Sequence, residues 1–116
     1  MLMYNPKAMI SQPMRNLSKD EILKVRERAI EYLKNKGYIV LNTLFDDEKH
    51  SFDYLISQHI RPDIYNLSES IKVLSKCKVI YFCKGWENAV GCKHEHAIAQ
   101  SYGIKCLYES EISNDE

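Results

Sequence analysis

The sequence predicts an α/β fold in which helices cover both faces of a parallel sheet. Three observations carry this expectation. Short apolar runs alternate with segments of helical periodicity along the chain. One run, Cys77–Cys83 (CKVIYFC), is nearly continuous in apolar residues, as a strand covered on both faces requires. Helix start and stop signals punctuate the segments between the runs.

Lys7–Ser11 (KAMIS) reads as a first strand that feeds the loop QPMRN at 12–16. Ser18-Lys19-Asp20-Glu21 has the form of a capping box, in which a hydroxyl and a glutamate satisfy each other's backbone N–H groups. Ile22, Val25, Ala29 and Leu33 follow at helical spacing, and Gly37 stands where a helix C-terminal glycine belongs. The charges of Lys19–Arg28 read as the outer face of this amphipathic helix. Tyr38–Asn42 (YIVLN) is a second strand. A structureless loop from Leu44 to Tyr65 would be unusual in a compact domain. Phe52, Leu55, Ile56 and His59-Ile60 repeat at roughly helical spacing, which predicts a short helix there. Arg61-Pro62 ends it, because proline disfavours helical backbone in the residue before it.

Asn66-Leu67-Ser68-Glu69 is a second capping-box pattern, with Leu67, Ile71 and Leu74 as its apolar stripe. After Cys77–Cys83 come the loop Gly85–Gly91, a helix over Cys92–Tyr102 stopped by Gly103, and a last strand, Ile104–Tyr108 (IKCLY). The predicted order is β-α-β-(α)-α-β-α-β. It implies a three-layer Rossmann- or flavodoxin-like sandwich with a four- to five-stranded parallel sheet. Residues 1–108 make one domain, and 109–116 read as a flexible acidic tail.

Lys+Arg and Asp+Glu stand at 16 each, for a formal net charge of zero. A polymer of nucleic acid needs a basic surface, so none is expected as a partner, whereas a mononucleotide needs only a few local groups. With 45% hydrophobic and 28% charged residues, the chain can bury a core without disulfides or a structural metal. No apolar run approaches the roughly 20 residues of a membrane helix, so no membrane partner is expected. The opening MLMYNPKAMIS lacks the basic-then-apolar form of a signal peptide. Cys77, Cys83, Cys92 and Cys106 read as free thiols of a cytoplasmic protein, Cys83 and Cys106 within apolar runs.

Ligands of such sheets bind beyond the carboxyl ends of the strands, near the switch in strand order. That brings together Ser11–Asn16 and Lys84–Gly91. Gly85 and Gly91 let backbone approach a ligand, Trp86 offers a stacking face, and the start of the next helix presents unpaired N–H groups. Glu95 lies about one turn into that helix, where the positive end of the helix dipole favours its ionised form. A carboxylate facing a pocket is a nucleophile toward a sugar carbon. The plainer reading is a solvated glutamate at a helix start. Cys92 and His96 share a helix face that His94 does not, so no metal site is expected, and no cofactor. The two histidines read as surface residues, or as contacts to a ligand or partner. His50 and His59 fall in the 44–65 region; there Arg61, Asp63 and Tyr65 read as a solvated loop or as a lid over the site.

Gly85-Trp86, Gly91, Glu95, Ala99 and Gly103, set in strand–loop–helix order, resemble the nucleoside 2-deoxyribosyltransferase-like superfamily. The chain looks closest to a compact branch frequent in phage and bacterial genomes. Ile10-Ser11-Gln12-Pro13-Met14 resembles that branch's strand–small–small–Pro-Met start. The resemblance implies that Glu95 attacks the anomeric carbon of a deoxynucleoside. A covalent deoxyribosyl-enzyme forms, and a second base or water takes the sugar, in the two-step logic of retaining glycosidases. Ser11, Gln12, Met14, Gly85 and Trp86 would then shape the pocket, and Asn88 or the Gly91–Lys93 amides would hold sugar or phosphate.

The family's aspartate on the preceding helix, which handles the base's proton, falls by spacing on Ser70. Its neighbour Glu69 points roughly 100° away around the helix. A serine has no useful acid pKa. That favours a second reading, a module that binds a nucleotide without turnover. A third is a homo-oligomer whose contact surface includes Tyr4, Phe45, Phe52 and Tyr54.

Overall fold

The structure, a computed structural model, describes residues 5–44 and 51–112. Four strands, β1 (Lys7–Ser11), β2 (Ile39–Val40), β3 (Val79–Phe82) and β4 (Lys105–Tyr108), form one parallel sheet in the order β2-β1-β3-β4. The helices are α1 (Lys19–Asn35), α2 (Phe52–Ser57), α3 (Pro62–Leu74), α4 (Val90–Ser101) and the short α5 (Glu109–Ile112). The predicted three-layer α/β architecture is the one observed, with four strands.

Strand alternation divides the apolar side chains between two cores. Ala8 and Ile10 of β1, Val79 and Tyr81 of β3, and Cys83 just beyond it pack against Ala29 and Leu33 of α1, with Ile112 of α5 at the edge. Met9, Ile80 and Phe82 point the other way, onto Leu74 of α3 and Ala99 of α4. All four residues of β3 are buried, which is why its sequence shows no polar alternation. Among the described residues, no helix is long and apolar enough to cross a membrane.

The capping box of α1 forms as its sequence predicts: Glu21 N–H donates to Ser18 Oγ at 3.1 Å, and Ser18 N–H donates to Glu21 Oε1 at 3.0 Å. The second capping-box pattern does not act as one. Asn66–Glu69 sits inside α3, whose first residue is Pro62 and whose cap is Arg61. Proline has no N–H to satisfy and a φ already helical, so it starts a helix as readily as it stops one. Of the 44–65 region, residues 45–50, with Phe45 and His50, lie outside the described residues, as does Tyr4. The rest is α2, as the spacing predicts, a turn, and the start of α3 rather than a plain loop, and Arg61 and Asp63 form an exposed ion pair at 2.8 Å.

Strand β2 is two residues long rather than the five of Tyr38–Asn42. Past Leu41, whose N–H still donates to Ala8 O at 2.8 Å, the Thr43 hydroxyl takes over and donates to Ile10 O at 3.1 Å. Helix α4 begins at Val90, two residues before Cys92, after a tight 3₁₀ turn over Trp86–Asn88. The expected frayed tail begins instead as α5, and Glu109 is tied down. Its carboxylate accepts from the Lys84 N–H at 2.9 Å and lies 3.5 Å from Arg28. Residues 113–116 lie outside the described residues.

Phe82 is fully buried at the centre of the second core. Phe82→Ala should cost about 3–5 kcal/mol, read as a drop in urea midpoint with little change in slope.

Candidate functional site

The chain passes to one side of β1 to make β2 and returns on the other side to make β3. The switch therefore lies between the carboxyl ends of β1 and β3, where doubly wound sheets place ligands. Beyond β3, Gly85 turns the chain at φ +88°, a value that side chains rarely tolerate. Its α-carbon faces Pro13: a Cβ built there would stand 3.7 Å from Pro13 Cγ. The two loops that the sequence placed together do meet.

Ser11, the last residue of β1, points to the α4 side. Its hydroxyl donates to Glu95 Oε1 at 2.5 Å. Glu95 lies in the second turn of α4 and is 7% exposed, so it is not a solvated helix-start glutamate. Ser70, from α3, lies near enough to this carboxyl group to favour its charged form. Cys92 lies one turn before Glu95, beside Ser11, and burial pushes its thiol up to about 11. That makes it a poor nucleophile.

Burial holds the Glu95 carboxyl above its ordinary range. Ser11, Ser70 and the positive charge of Arg26 each pull it back down. The helix position led to the opposite expectation, an ionised form favoured throughout. Desolvation outweighs it, because the whole carboxyl group has left water.

Arg26 corrects the reading of Lys19–Arg28 as an outer face. It is 5% exposed, on the same stripe of α1 as Ile22, Ala29 and Leu33. Its Nε–H donates to Gln12 Oε1 at 3.0 Å, and its Nη1 donates to Thr43 Oγ1 at 3.4 Å. Gln12 Nε2 in turn donates to Ile22 O at 2.8 Å. The spacing of 22, 26, 29 and 33 carries this signal, but residue type alone sends an arginine outward. Glu109 was missed for the same reason, as one charge in an acidic stretch.

The predicted site residues thus divide. Ser11, Ser70 and Glu95 converge, and Gly85 lies against Pro13. Gln12 turns to the other face, into the Arg26 network. Trp86 packs into the second core, its ring centroid 4.2 Å from His96, 5.1 Å from Phe82 and 5.7 Å from Tyr108. His96 Nε2 and Tyr108 Oη share a hydrogen bond at 2.7 Å inside that aromatic group, while His94 is exposed. Met14, Asn88 and Gly91 are exposed at the rim, as are Phe52 and Tyr54 on α2.

Chemically, the convergence is a carboxyl group shielded from water, with hydroxyl donors and a buried guanidinium favouring its charged form. Such a group can attack an electrophilic carbon or hold a proton.

Two outcomes follow from this geometry. Glu95 contributes its full stability below its ordinary value of 4.5 and loses it as pH rises through its elevated folded value. Melting temperatures of wild type and Glu95→Gln, compared between pH of about 4 and 8, should show wild type losing ground as pH rises. Arg26→Ala leaves the Gln12 carbonyl unpaired and opens a cavity, and should cost roughly 3 kcal/mol in denaturant unfolding.

The family model described as "Domain of unknown function (DUF4406)" matches residues 7–108. No curated protein and no solved structure matches the chain.

Proposed function

The chain belongs to the DUF4406 family, and we propose that it cleaves or transfers at the N-glycosidic bond of a nucleoside or nucleotide, with Glu95 as nucleophile. The observation that carries this reading is the buried Glu95 carboxyl, held by Ser11 at 2.5 Å beside the strand-order switch. A buried carboxyl group raises the energy of its own ionised form. Surrounding it with Ser11, Ser70 and Arg26, all of which favour that form, fits a group that must act as an anion in a dry site. The resemblance to the nucleoside 2-deoxyribosyltransferase-like superfamily supplies the electrophile.

In this reading a Glu95 oxygen attacks C1′ of the sugar. The C1′–N bond breaks, its electron pair leaves with the base, and the base takes up a proton from water. The sugar is then held as an ester of Glu95. Water or a second base attacks C1′ and gives up a proton to solvent, the ester C1′–O bond breaks, and the carboxylate is restored. The Ser11 and Ser70 hydroxyls orient the carboxylate and give up their hold as its charge passes to the new bond. The protein works as a cytoplasmic enzyme on small molecules, and Phe52 and Tyr54 on the surface of α2 suit contact with a second copy.

Ser70 favours one alternative, a nucleotide-binding module without turnover. A hydroxyl in that place cannot protonate a leaving base at neutral pH.

Incubation with deoxynucleosides and their 5′-monophosphates, with and without a free acceptor base, followed by chromatography of the bases, decides between them. The enzyme should release base, and Glu95→Ala should lower the rate by at least about a thousandfold. Stabilisation by nucleotides in a thermal shift, with no released base, would favour the binding module.

A further inference from the structure

In a parallel sheet with crossover helices, the strands all start, and the helices that lead into them all end, at one edge. Here that edge is made by residues 5–7, 34–38, 75–78 and 101–105, which finish α1, α3 and α4 and open the four strands. These segments hold six lysines, Lys7, Lys34, Lys36, Lys76, Lys78 and Lys105, and no Asp or Glu. The neutral total of the chain conceals this segregation. Outside the edge stand ten basic and sixteen acidic side chains. Net charge weighs against a polyanionic partner only when the two signs are mixed over the surface.

The lysines are available. Lys7 is half-buried and the other five are exposed. None of the six forms an ion pair among the described residues. Three of them stand side by side on neighbouring strands: the Lys78 N–H donates to Lys7 O at 2.9 Å, and the Lys105 N–H donates to Lys78 O at 3.3 Å. Strands lie about 4.8 Å apart, so this row spans roughly 10 Å. Helix ends do not account for so much charge. The C-caps of α1, α3 and α4, Lys36, Ser75 and Tyr102, all lie here. Each helix C-terminus carries about half a negative charge, so together they offset about 1.5 of the six positive ones.

Two features identify the kind of polyanion. All six cations are lysines and none is an arginine. A lysine is a point charge without a fixed fork, which suits a flexible chain of repeated anions better than a carboxylate in one fixed geometry. Beside them Tyr102, 80% exposed, presents an aromatic face to solvent. Phosphate-tracking cations next to an exposed ring are the means by which proteins hold single-stranded nucleic acid, whose bases are free to stack. A duplex keeps its bases inside.

We propose that the lysine edge, opposite the Glu95 site, binds a single-stranded nucleic acid, its phosphates along Lys7, Lys78 and Lys105 and one base stacked on Tyr102. This goes beyond the chemistry assigned to Glu95 and does not depend on it.

The test is fluorescence anisotropy of a labelled short oligodeoxythymidylate titrated with the full chain over a range of salt concentrations. The oligonucleotide should bind, and its affinity should fall with salt at a logarithmic slope of about −0.7 for each phosphate contacted. Lys78→Glu with Lys105→Glu should weaken binding at least about tenfold and make the slope shallower by about 1.4. Should that variant fail to fold, Lys34→Gln with Lys36→Gln, both exposed, should still weaken binding. Tyr102→Ala should bind about tenfold more weakly with its slope unchanged, the loss of one stacked base. Lys24→Glu on α1, away from the edge, should bind within about twofold of wild type, because salt screens a distant charge.

No binding of the oligonucleotide would overturn the proposal, as would a loss in Lys24→Glu equal to that of the edge variants. A duplex bound as tightly as the single strand, or unchanged affinity in Tyr102→Ala, would overturn the single-strand assignment. Capture of phosphatidylserine-containing vesicles with no binding of the oligonucleotide would assign the edge to a membrane surface instead.

Discussion

The hydrogen bond from Ser11 to Glu95 joins residues 84 positions apart, and much of the site's arrangement depends on it. A carboxyl group inside a sandwich is unfavourable unless something meets it, and the end of the central strand β1 is the nearest fixed point. Serine there is small enough to fit under α4 and donates directly to the carboxyl group. An alanine would keep the strand and orphan the carboxyl, and a larger residue would push α4 from the sheet. The interaction thus ties the second turn of α4 to the end of β1.

That point on β1 is held from both sides. Successive residues of a strand face opposite ways, so Ser11 reaches α4 while Gln12 reaches α1 and meets Arg26. Arg26 continues to Thr43, and Thr43 returns to the Ile10 carbonyl, closing a ring of buried polar contacts around the end of one strand. A fully satisfied network of this kind is rigid, and losing one member strands the others. Glu109 does a similar service for the neighbouring loop by holding the Lys84 N–H. The site is built on strand ends locked by side chains, the support that positioning of reacting atoms requires.

A charge argument connects this frame to function. Burial pushes Glu95 toward its neutral form, while hydroxyls and a buried guanidinium push it back. These opposing effects are what a purely structural residue would not need, since an apolar side chain of the same size would fill the place with less cost.

The fold was legible in the sequence because its signals are local and repeated. The capping box at Ser18, the continuous apolar run at Cys77–Cys83 and the glycines at 37, 85 and 103 each report on backbone within a few residues. Glu95 was legible as a candidate through its place in a strand–loop–helix. Local signals failed where two readings share one residue pattern. Pro62 can end a helix or begin one, and Asn66–Glu69 can cap a helix or lie within it. Arg26 carried the spacing of a core residue with the chemistry of a surface one, and only a partner brought from another element, Gln12, could decide between them. The sequence by itself determined the order of elements, the two-sided burial of the central strand and the loops that meet beyond it. The tertiary structure alone decided which charges leave water, because the free energy of a buried charge depends on the groups that distant segments bring to meet it.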